Sequence, residues 1–172
     1  MNSRLVKNSI RFILLVLLQV LLFSNMHLWG YVTLYPYLLF LLLLRVDISK
    51  TNLLLIGFFT GLVIDFFQNT MGMQAAASTL LVFARPTVLN FYFKKVEFAP
   101  REEPGISRLG FTGFFKYAFT LVLIHNLFLF FLEAFSLAGF FSIIERALVN
   151  SVATVVLILI LEMLFSRKKK GL

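Results

Sequence analysis

Residues 56–74 read IGFFTGLVIDFFQNTMGMQ, an apolar run greasy enough to enter a bilayer but carrying features a plain anchor would not need. Gly57 and Gly61 stand four apart, Asp65 follows at the same interval, and Gly72 falls in the polar break beyond. Positions four apart lie almost above one another on a helix of about 3.6 residues per turn. The stretch is therefore read as a helix with one narrow stripe of two smooth notches and a carboxylate. Its other faces are Leu, Ile, Val and Phe.

The composition around it agrees with a membrane setting. Of 172 residues 60% are apolar and only 14% charged, with a mean hydropathy of +0.92. A soluble domain has about 25% charged residues. At ~20 residues per span the length accommodates about six spans with short connections and leaves little for a soluble domain. Cysteine is absent, which removes disulfides, thiolate metal sites and thiol nucleophiles. The formal net charge of +8 lacks a basic patch with interleaved exposed aromatics, so it is not a nucleic-acid signature.

The apolar runs place spans at about 9–27, 31–45, 52–68, 75–93, 111–132 and 140–165, with 94–109 as the one long polar loop. The first run is basic then apolar, like a signal peptide, but lacks a small-residue cleavage site and is read as a retained span. In the second, Pro36 either marks where the regular helix begins, with an irregular approach before it, or bends a longer helix. Trp29, Tyr31, Tyr35 and Tyr37 gather at the same end, as interfacial aromatics do. Fourteen of the sixteen Lys and Arg fall at one set of alternate ends, at 4, 7, 11, 45, 50, 94, 95, 101, 108, 116 and 167–170. The three opposite loops have none. This is a positive-inside pattern, and it predicts an all-α polytopic bundle of six transmembrane helices with both termini cytoplasmic.

Ionisable groups inside spans cost about 2.5–3.5 kcal/mol each at a helix centre on insertion scales, so they are expected to face protein or water. The candidates for an intramembrane polar network are Asp65, Arg85, His125, Arg146 and Asn150, with Glu145, Asn90 and Asn126 as companions. Counting rise per residue from the expected boundaries puts Asp65 and Arg85 at nearly equal height on consecutive antiparallel spans. That predicts an Asp65–Arg85 ion pair. Arg146 and Asn150, four apart, share a face of the last span. His27 and His125 have no carboxylate at metal-ligand spacing. There is neither a nucleophile turn nor a phosphate-binding glycine loop. Gly57-x-x-x-Gly61, with Gly72 beyond, fits a helix-packing groove, open to this chain's own helices or to a partner's span. A rival reading makes the five polar residues the lining of an outward-facing small-molecule pocket.

The order of features from Pro36 to Arg85 resembles the MreD family of rod shape-determining membrane proteins. The match is a proline opening an apolar run, a polar turn, then G-F-x-x-G-L-x-x-D, a break with Gly72 and a small-residue helix start, here GFFTGLVIDFFQNTMGMQAAASTLLVF. It is firmest over residues 36–93. Tyr37 departs from the pattern, which favours a polar or acidic residue after the proline. The resemblance implies a non-catalytic subunit, without cofactor, of the cell-elongation machinery in a bacterial inner membrane. It implies direct association with MreC, and through it with MreB and a peptidoglycan glycosyltransferase–transpeptidase pair. Membrane lipid is the remaining partner, and nucleic acid is not one. The family's fold is similar to the substrate-binding subunits of energy-coupling vitamin transporters, which gives the small-molecule rival its concrete form.

Overall fold

A computed structural model describes residues 2–23, 32–135 and 139–166. The cluster at Trp29 and Tyr31, His27, the charge-free loop before them and the basic run 167–170 lie outside the described residues. Within them the protein is all-helical. Six helices follow one another: α1 Asn2–Leu18, continued by a π-helical turn Gln19–Phe23; α2 Leu38–Leu42; α3 Lys50–Gln68; α4 Met73–Phe93; α5 Ile106–Ala134; and α6 Phe140–Ser166. Three of them, α3, α5 and α6, are long and apolar enough to cross a membrane. α4 has the length but carries Gln74, Ser78, Thr79 and Arg85 along it.

Contacts at the two ends of the bundle show how the chain is threaded. At one end the Arg11 guanidinium pairs with Glu103 at 3.2 Å, the Val46 N–H donates to the Glu102 carbonyl at 3.0 Å, and Gly105 lies against Glu162. At the other end Asp65 meets the start of α4, Thr33 meets Asn150, and Arg146 pairs with Glu133 at 3.3 Å. Loop 94–105 thereby clasps α1, the turn before α3 and the end of α6. Successive helices pack as neighbours, α3 on α4, α4 on α5 and α5 on α6. α5 is broken near its start by Gly110, whose φ of 72° is a conformation that suits glycine, so the regular helix runs on from Phe111.

The second predicted span differs most from expectation. Instead of a helix over 31–45 there is a non-helical stretch at 33–35 and a turn at Pro36–Tyr37, followed by only five helical residues. Of the two outcomes left open by Pro36, a helix starting beside it is the one observed. Non-helical backbone at membrane depth survives only where protein satisfies its polar groups, since each one left bare costs several kcal/mol. Here α6 supplies the partners. The Thr33 N–H donates to Asn150 Oδ1 at 2.6 Å and the Tyr35 N–H to Thr154 Oγ1 at 3.4 Å. The segment can be irregular because it is central: Tyr37, Leu38, Leu39, Leu41 and Leu42 are completely buried.

The outside of the bundle is apolar. Leu55, Phe59, Leu62 and Phe66 project from α3, Phe83 and Phe91 from α4, and Val152, Val156 and Ile160 from α6. Large exposed apolar area of this kind is what a lipid-facing surface requires, and on a soluble monomer it would be anomalous.

Candidate functional site: the buried polar framework

The glycine stripe of α3 is filled by α4. A Cβ on Gly61 would lie 2.5 Å from Ala75 Cα and 2.6 Å from Ala75 N, so the backbones touch. A Cβ on Gly57 would meet Val82 Cγ2 at 2.5 Å and the Ser78 carbonyl at 3.1 Å. This close approach of small residues is the usual basis of tight helix pairing in lipid. Of the two alternatives for Gly57 and Gly61, packing against this chain's own helices is the one observed, because the notch is occupied from within. Gly72 is not part of a groove. Nothing lies within 4 Å of where its Cβ would be, and its φ of +87° identifies it as a turn residue. Asn69 and Met71 also have positive φ, and together the three reverse the chain within a few residues.

Asp65, next on the stripe, is 95% shielded and accepts three hydrogen bonds. Its Oδ1 receives the Gln74 N–H at 3.0 Å and the Thr70 hydroxyl at 2.5 Å, and its Oδ2 receives the Ala75 N–H at 2.8 Å. The two amides belong to the first turn of α4, where helix geometry leaves N–H groups without intrahelical partners. The carboxylate therefore caps the next helix, at the end where the helix dipole favours negative charge. Gly-x-x-x-Gly-x-x-x-Asp thus acts as one unit, with two glycines to admit α4 and an acid to terminate it.

The predicted Asp65–Arg85 ion pair is absent. α4 begins level with Asp65, so Arg85, ten residues beyond Ala75, lies roughly 15 Å farther along. Its guanidinium reaches the C-terminal end of α2. Nε donates to Tyr117 Oη at 2.9 Å, Nη2 to the Leu44 carbonyl, and Nη1 to the Arg45 carbonyl at 3.5 Å. Tyr117 Oη in turn donates to the Leu42 carbonyl at 2.9 Å. Tyr117 meets the carbonyl of the last residue of α2, and Arg85 meets the Leu44 and Arg45 carbonyls in the turn just beyond it, on the side where the dipole favours a cation.

His125 belongs to a third set. Its Nε2 lies 2.9 Å from the Tyr37 hydroxyl, which is also 2.9 Å from Gln74 Oε1 and 3.0 Å from Ser78 Oγ. Its Nδ1 lies 3.1 Å from Asn126 Oδ1, and Asn126 Nδ2 donates to Ser151 Oγ at 3.0 Å. The chain of contacts joins the α2 approach to α4, α5 and α6, and its members are at most 1% exposed. Tyr35 packs edge-on against the His125 ring at 5.6 Å between centroids.

Arg146 and Asn150 do not join that set through their side chains. Asn150 Nδ2 donates to the Arg146 carbonyl at 2.7 Å while its Oδ1 holds Thr33. The Arg146 guanidinium stands at the rim, 46% exposed, paired with Glu133 and 4.4 Å above the Phe130 ring. Glu145 is exposed. The expected single network of Asp65, Arg85, His125, Arg146 and Asn150 is therefore several local arrangements, each closing a different backbone or side-chain deficit.

Residues outside the predicted set do much of the joining: Tyr37, Gln74, Ser78, Tyr117, Ser151 and Thr154. Hydroxyls are common in membrane spans, so composition does not mark them. The one available signal was Tyr37, a polar-tipped ring immediately after the proline of a buried run. Among the described residues no group of three or more His, Asp or Glu could hold a metal ion. The hydroxyls of Ser78 and Ser151 are engaged and buried, so neither is presented to a substrate. No family model, curated protein or solved structure matches the chain.

Proposed function

We propose that this protein is a non-catalytic scaffold of the MreD type, a six-span subunit of the bacterial cell-elongation complex with cytoplasmic termini. In this reading it sits in the cytoplasmic membrane and binds MreC. Through MreC it stands in one assembly with MreB and the peptidoglycan glycosyltransferase–transpeptidase pair, and helps to position wall synthesis. The observation that carries the reading is the internal use of the two glycines and the aspartate of the G-F-x-x-G-L-x-x-D stretch. Gly57 and Gly61 admit α4, and Asp65 caps it. The residues behind the resemblance thus build a rigid helical hairpin, which suits a part that presents a surface. The polar side chains of the small-molecule reading are each engaged by backbone or by other side chains of the bundle, which weighs against that rival. With the glycine stripe filled, the partner's surface has to be sought among outward residues of α1, α3 and α4.

Photo-crosslinking in living cells tests this, using a crosslinking amino acid at the exposed positions Leu17, Phe59, Phe66 and Phe91 in separate variants. The expected result is capture of MreC from one face, together with loss of rod shape when the protein is depleted. Rods that persist on depletion, with no MreC adduct from any face, would overturn the proposal.

A further inference from the structure

The seam between α4 and α5, at the end of the bundle that holds loop 94–105, combines features that no role above uses. Tyr92 is 40% exposed and its hydroxyl lies 3.1 Å from Thr120 Oγ1 on the neighbouring helix, a polar bond on the outer surface. The Thr120 hydroxyl donates to the Lys116 carbonyl at 2.9 Å. Lys116 is one turn from Thr120 and therefore shares its face of α5. Helical side chains lean toward the helix N-terminus, which carries the Lys116 ammonium toward the end where α4 stops. Lys94 and Lys95 close α4 at that end, and all three lysines are exposed.

No ion pair joins any of these lysines to a carboxylate among the described residues, whereas the basic Arg11, Arg45, Arg108 and Arg146 are all paired. Exposed rings also lie near Lys116 along α5. Phe111 is 54% and Phe115 41% exposed, and Phe115 stacks on Phe119 at 5.9 Å. A cation bordering an apolar, aromatic-bearing surface suits an anion that arrives with hydrocarbon attached. A soluble anion would have no reason to prefer such a surface.

We propose that Lys116, with Lys94 and Lys95, holds the phosphate of an anionic phospholipid in the α4–α5 seam, its acyl chains lying along Phe115 and Tyr92. The proposal is independent of the MreC reading, and its test uses the purified full-length chain alone. Native mass spectrometry would follow retention of phosphatidylglycerol against phosphatidylcholine of identical chains. Phosphatidylglycerol should be retained preferentially. K95Q/K116Q should weaken it roughly twenty-five-fold, from about fivefold per lysine. K95R/K116R should keep it, and K50Q, a lysine at the start of α3, should leave it unchanged. Only variants that elute and melt like the parent protein are compared. Equal retention of the two lipids, or wild-type retention by K95Q/K116Q, would overturn the proposal. So would displacement by glycerol phosphate at concentrations comparable to the lipid, which would mark a site for soluble anions.

Discussion

Asp65 sits where α4 begins, and Arg85 sits where α2 ends. Each is almost fully buried, and each meets backbone groups without helical partners, the first amides of α4 for Asp65 and the carbonyls of the turn after α2 for Arg85. They differ in reach. The short carboxylate acts across a tight hairpin, within ten residues of sequence. The long guanidinium reaches back some forty residues, into a segment that is only briefly helical. For these two residues buried charge therefore compensates backbone, acid at a helix start and base just past a helix end, in accord with the helix dipole. The alternative, two charges compensating each other, leaves both helix ends unsatisfied.

Removing each group should reveal which compensation matters more. Arg85→Met deletes the donors to the buried Leu44 carbonyl, the half-buried Arg45 carbonyl and the Tyr117 oxygen. A loss of about 3 kcal/mol is expected, the upper range for buried hydrogen bonds to a charged group. Thermal unfolding in detergent, followed by loss of the monodisperse species, measures it; a variant as stable as the parent would show that α2 does not depend on its cap. Asp65→Ala leaves the Gln74 and Ala75 amides bare and should cost about 2 kcal/mol, the top of the range for capping residues. Hydrogen exchange at the start of α4 should quicken in that variant while the end of α2 stays protected. Arg85→Met should show the reverse.

The contrast also separates what sequence can and cannot disclose. The stripe Gly57, Gly61, Asp65 was legible because helical spacing is local and fixed. The all-helical, membrane-type character was legible from long apolar runs. The height of Arg85 was not, because it depends on how quickly the chain turns. Asn69, Met71 and Gly72 all take positive φ, so α4 starts beside Asp65 instead of above it. A boundary placed by hydropathy cannot register that difference. Segment 33–37 was hidden for another reason. Its backbone donors are met by Asn150 and Thr154, more than a hundred residues away, and an apolar run looks the same whether it is helical or extended. Pro36 was the only local clue. Tyr37 stood out as a departure from the family pattern, yet its role as the meeting point of Gln74, Ser78 and His125 exists only once four elements are assembled.

A smaller effect tests the Arg85 site alone. Tyr117→Phe keeps the ring in place but removes the hydroxyl that relays Arg85 to the Leu42 carbonyl. About 1 kcal/mol should be lost, the ordinary net value of one hydrogen bond. The loss should shrink in an Arg85→Met background, where the relay is already broken, and stay unchanged in an Asp65→Ala background. Equal losses in all three backgrounds would separate Tyr117 from the α2 cap.

The smallest expected number is the most decisive for the comparison. In a double-mutant cycle on Asp65→Asn and Arg85→Gln, the coupling energy should be below about 0.5 kcal/mol, as for sites far apart with no shared partner. The conservative replacements keep side-chain volume and leave each helix end some hydrogen bonding, so neither single variant should collapse the hairpin. A direct buried ion pair would give a different result: removing one partner strands the other charge, and the second removal recovers much of the first loss. Coupling above about 1.5 kcal/mol would therefore reinstate the pair and displace the two caps. The charge exchange Asp65→Arg with Arg85→Asp sharpens the same point. It places a cation against the N–H groups of α4 and an anion against the carbonyls ending α2, both opposed by the helix dipoles. Two caps predict that the exchanged protein is less stable than either single reversal, whereas a pair predicts rescue.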